Sequence, residues 1–133
     1  MVNLEKIFKN NYLIISKPLL KELGINACLM LSELYSEYKY YNEKKLVNDF
    51  GYFYSTSENV KNNIGLSNHK QSEAIKILVE YKIIKEHVYG MPAKRYFAFE
   101  PNALKRLEEI IKNQTMYDNK NIINDKLLYP DTF

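Results

Sequence analysis

Residues 55–99 read STSENVKNNIGLSNHKQSEAIKILVEYKIIKEHVYGMPAKRYFAF. Two short helical patterns split by Gly65-Leu66-Ser67 are followed by two β-like runs split by Gly90-Met91-Pro92-Ala93. Ser55 with Glu58 three residues on has the form of a capping box, so a short helix is expected to follow and to stop at a left-handed Gly65. Leu66 is expected to plug the turn, and Ser67 to cap a second helix running to about Tyr81. On that helix Ala74, Ile75, Leu78 and Val79 make an inward stripe, while Asn68, His69, Lys70, Ser72, Glu73 and Lys76 fall largely on the opposite face. Residues 82–90 and 94–99 then predict two strands, with Pro92 in the turn, where it is tolerated.

Upstream, residues 4–15 form a leading segment that ends in the β-like YLIIS. Pro18 suits the first turn of a short helix, KPLLKEL, which stops at Gly24. From Ile25 to about Tyr41 the apolar residues Leu29, Met30, Leu34, Tyr35 and Tyr38 recur at helical spacing, predicting the long helix that carries the core. The aromatic GYFYS at 51–55 alternates and can form a short strand. Downstream, Pro101 is placed to open one more helix with Leu104, Leu107, Ile110 and Ile111 on one stripe, and the periodicity fades after Gln114. That stripe either completes the monomer core or pairs with its copy in a second subunit.

A chain of 133 residues with 46% hydrophobic content fits one domain,. The expected division is a domain over 1–113 and a tail over 114–133, the tail carrying a small apolar cluster at Leu127, Leu128 and Tyr129. Cys28, the single cysteine, excludes an internal disulfide and lies in an apolar helical pattern, as a core thiol of a reducing, cytoplasmic setting would,. No leader or membrane-length apolar run is visible. Residues 56–99 hold seven Lys or Arg against four acids, a local +3, whereas the flanking stretches come to +1 and −1. One anion-facing surface is therefore expected there.

Helix, glycine turn, capped helix and hairpin together define a winged helix-turn-helix: an α+β, mainly helical fold, here with an extra C-terminal helix. Such a fold offers the polar face of helix 67–81 to a major groove about 12 Å wide. The candidate DNA-binding residues are Ser67, Asn68, His69, Lys70, Gln71, Ser72 and Lys76 on that helix, with Lys94 and Arg95 in the wing. Asn68 can pair with adenine, Lys70 with guanine or phosphate, and Ser72 can donate or accept. His69 can contact either bases or phosphate.

The stretch GYFYSTSENVKNNIGLSNHKQSEAIKILVEYKIIKEHVYGMPAKRYFAF resembles the N-terminal winged-helix domain of replication initiators from plasmids and phages of Gram-positive bacteria. The resemblance spans about residues 25–99 and is carried by GYFY, by GLS before the second helix, by Gln71, by YKII and by GMPAKRYF in the hairpin. It implies a DNA-reading helix over 67–76, wing contacts from Lys94 and Arg95, and double-stranded DNA with repeated sites as the partner, bound by a homodimer. Such initiators usually continue into a further domain, whereas about 34 residues follow the wing here. A truncated initiator and a small stand-alone DNA binder, for partition, conjugation or transcription, are both compatible with this.

Other chemistries find little support. Two His and one Cys scattered over different elements make no zinc site, and no nucleophile motif, phosphate loop or paired catalytic carboxylates occur, so neither cofactor nor catalysis is expected,. Twelve tyrosines raise the idea of base stacking, but Tyr52, Tyr54 and Tyr96 alternate with Phe in strands, and core and sheet packing is the expected use,. The alternative to DNA binding is a protein-interaction module in which the winged helix holds a partner by its hairpin or the exposed face of helix 67–81, with association through the C-terminal helix or tail.

Overall fold

The structure, a computed structural model, describes residues 13–128, and the side chains among them through residue 115. The leading segment up to residue 12 and the side chains of the 127–129 cluster lie outside the described residues. In chain order come α1 (Lys17–Leu23), α2 (Ile25–Glu43), β1 (Phe53–Tyr54), α3 (Ser57–Ile64), α4 (Asn68–Glu80), β2 (Ile84–Tyr89), β3 (Lys94–Phe99) and α5 (Ala103–Leu128). The three strands form one antiparallel sheet in the order β1-β3-β2. This is the winged helix-turn-helix that the sequence pattern calls for.

The core forms where α2 and α4 cross beneath the sheet. Met30 and Leu34 of α2, Val60 of α3, Ala74 and Leu78 of α4, and Phe53 and Phe97 of the sheet are all fully buried. Tyr38 and Tyr41 close the edge by packing their rings against Phe53, at 5.9 and 6.3 Å between centroids. Leu107 and Ile110 of α5 pack against this core, so part of the C-terminal stripe completes the monomer, while Leu104 stays exposed.

Several local expectations differ. The cap of α3 is Thr56, whose hydroxyl accepts from the Asn59 N–H at 3.0 Å. Ser55 is drawn instead into the sheet, where its N–H donates to the Arg95 carbonyl at 3.0 Å. Residues 13–16 form no strand; Ile15 packs on the core and the Ile14 carbonyl accepts from the Ser32 hydroxyl at 3.0 Å. Tyr35 and Val79, expected inside, are 55% and 41% exposed. The buried stripe of α4 is Gln71, Ala74, Ile75 and Leu78, a run of i, i+3, i+4 and i+7 that leaves Val79 at its rim,. Finally, α5 begins two residues after Pro101 and runs past Gln114 to Leu128, a stretch without Gly or Pro to break it even where its apolar period fades,.

Candidate nucleic-acid interface

The turn between α3 and α4 is built as its residues require. Gly65 ends α3 in the left-handed region at φ 74°, ψ 13°, and its N–H donates to the Lys61 carbonyl,. Leu66 is buried beneath it, and the Ser67 hydroxyl accepts from the Lys70 N–H at 3.3 Å, capping α4. The first turn of α4 is thus held with its remaining backbone N–H groups directed outward, an arrangement that attracts anions.

Most of the expected contact residues stand on the exposed side of α4. Ser67, Asn68, His69, Lys70, Ser72 and Lys76 are exposed. Their polar atoms are partly engaged: the Ser57 hydroxyl bonds the Asn68 side-chain oxygen, the Ser72 hydroxyl donates to the Asn68 carbonyl at 3.0 Å, and His69 Nε2 lies 3.1 Å from Glu73. Asn68, Ser72, Lys76 and Glu80 of α4 border a cleft between that helix and the hairpin, which Glu86 and Arg95 close from the hairpin side.

Gln71 does not belong to this surface. It is 1% exposed, and its side-chain amide donates to the carbonyls of Ser57 and Leu66, both at 2.9 Å. Its position three before Ala74 and four before Ile75 gives the physical reason: it lies on the core stripe. That spacing could have been read from the sequence.

The two wing residues part company. Lys94 is exposed, its ammonium 5.7 Å from the Tyr54 ring on the outer face of the sheet. Arg95, one residue on, points to the inner face as strand alternation demands. Its Nε donates to the Ser55 carbonyl and its Nη1 to Gln71 Oε1, both at 3.1 Å, and the guanidinium lies 4.9 Å over the Phe97 ring. Arg95 is thereby a brace between wing and α4 rather than a free wing contact. Behind it Glu37 is held by burial up to about 7, with the Ser55 hydroxyl pulling the other way, Glu33 adding to the rise and Arg95 opposing it. Burial likewise draws the guanidinium down from its usual value, against Glu86 and Glu37. Glu33, also buried, accepts from Asn63 of α3 at 3.0 Å.

Among the described residues no group of three or more His, Cys, Asp or Glu is placed to hold a metal ion, and no helix is long and apolar enough to cross a membrane.

The class defined by this geometry is a winged helix-turn-helix with its second helix exposed at the N-terminal end and tied to its wing. No family model and no curated protein matches the sequence. Two solved structures share the fold. One, described as "Structure of Rep-DNA complex", is 15% identical with a TM-score of 0.60, the match covering 94% of this chain and 96% of that one. The other, "N-Terminal domain of DNA binding protein", is 13% identical with a TM-score of 0.56, covering 82% and 92%. At these identities the likeness is one of fold, and it agrees with the architecture expected from the initiator-like sequence pattern.

Proposed function

We propose that this chain is a sequence-specific duplex-DNA-binding protein of replication-origin type, serving plasmid or phage maintenance and acting without catalysis. It reads the major groove with the first turns of α4 and steadies the contact with the hairpin. The observation that carries this reading is the exposed N-terminal end of α4, capped by Ser67. There Asn68 and Lys76 border a cleft between α4 and the hairpin, and Lys70 is exposed in the same first turns of the helix. The fold neighbours support it, one being a Rep protein bound to DNA and the other a domain of a DNA-binding protein. A homodimer would set two copies of α4 about 34 Å apart, one DNA turn, and would favour repeated sites.

Selection from a random duplex library at about 150 mM salt, where non-specific contacts are weak, tests it. Enriched repeats are expected, with Lys70→Ala and Lys76→Ala each weakening the selected site. Equal affinity for every duplex, unaffected by either change, would overturn the proposal.

A further inference from the structure

The outer face of the sheet carries a pattern that neither the core nor the groove-reading helix uses. Register places Phe53 opposite Phe97 and Ile84 opposite Phe99 on the inner face. The alternate positions therefore point outward: seven large or charged side chains, Tyr52 and Tyr54 by β1, Lys94 and Tyr96 on β3, and Lys85, His87 and Tyr89 on β2, around the small, buried Ala98 of β3,. Their rings form a continuous surface. Tyr54 lies 5.7 Å from Tyr96, Tyr52 is 6.1 Å from His87, and His87 stacks on Tyr89 at 6.0 Å. Lys85 and Lys94 lie over Tyr52 and Tyr54, each at 5.7 Å. None of these seven positions is acidic; Glu86, the acid of β2, alternates to the other side. Tyr52, His87, Tyr89 and Tyr96, with Asn48, also line a cleft of about 370 Å³, at the small end of the range of ligand sites.

From this we infer that the outer sheet face binds single-stranded DNA, unpaired bases stacking on the tyrosine and histidine rings while Lys85 and Lys94 neutralise the adjoining phosphates. Flat aromatic faces interleaved with cations are the chemistry that holds unpaired bases without regard to sequence. A duplex hides its base faces in the stack and so offers this surface little beyond phosphate. Sheet stability alone accounts for pairs of rings across strands. It does not account for an acid-free face in which four tyrosines, a histidine and two lysines adjoin.

The inference is independent of duplex reading by α4, because the two surfaces share none of the residues varied in the test. Fluorescence anisotropy of a labelled thymidine oligonucleotide of about twelve nucleotides, within the usual site size, is measured beside a duplex recovered from the library. Tyr89→Ala and Tyr96→Leu should each weaken oligonucleotide binding by about tenfold. Both should weaken the oligonucleotide far more than the duplex and leave the thermal melt close to that of the parent. Lys70→Ala should do the reverse, weakening the duplex alone. Failure to bind the oligonucleotide, or binding that neither tyrosine change weakens, overturns the inference. Loss of duplex selection with tyrosine-dependent oligonucleotide binding intact would overturn only the duplex reading.

Discussion

Glu37 shows how a single residue records the cost of the polar seam beneath the wing. In the unfolded chain its carboxyl would titrate near 4.5, and in the fold burial holds it up to about 7. Between these values the native state binds the extra proton, so stability falls as pH rises through the window and the full penalty is present above it. The shift corresponds to roughly 3 kcal/mol. Glu37→Gln is therefore expected to stabilise the protein at pH 8, to change little at pH 4, and to flatten the intervening slope of urea-derived stability; an unchanged slope would show the carboxyl is not the source. Gln71 carries the opposite lesson. Gln71→Ala would leave the Ser57 and Leu66 carbonyls and an Arg95 N–H without their partner and open a small cavity, at a cost of about 1–3 kcal/mol in the same titration,.

The turn before α4 was the most legible of the elements, because each of its residues answers a backbone requirement. Gly65 is needed for a positive φ, Leu66 for the plug and Ser67 for the cap, and all three stand where the sequence places them. Gly65→Ala meets no neighbour within 4 Å, so its cost is the left-handed backbone alone, about 1 kcal/mol,. Ser67→Ala should cost a similar amount through the lost cap. The two losses in chemical denaturation should fall short of additive, since both loosen one turn. Less was legible where local pattern gives way to long-range pairing. Ser is the better cap by type, yet the hydrogen bond from Ser55 to β3 draws it into the sheet and leaves the cap to Thr56. Arg95 looks like a wing contact until the pairing of β3 with β1 fixes its face. Tyr52, Tyr54 and Tyr96 were expected, from their alternation with Phe, to serve core and sheet packing; that the alternation turns them away from the core required the register,.

At the scale of the molecule, α4 and the hairpin are joined through one chain of contacts: Ser57 and Leu66 to Gln71, Gln71 to Arg95, Arg95 to Ser55 and the Phe97 ring. This sets apart two ways in which a cation can matter for duplex binding. Lys70 is exposed at the head of α4, and a phosphate contact from it contributes about 0.9 to the slope of log affinity against log salt,. Lys70→Ala should therefore lower affinity and flatten that slope by about this amount. Arg95 is half-buried with its hydrogen bonds directed inward, so it acts by holding the spacing of wing and helix. Arg95→Met keeps the packing over Phe97 but unties Gln71, so affinity should fall with the slope unchanged and the melting temperature should drop. If Arg95→Met instead flattens the slope as Lys70→Ala does, the guanidinium leaves its seat on binding and contacts phosphate itself. The brace would then be a feature of the free protein alone.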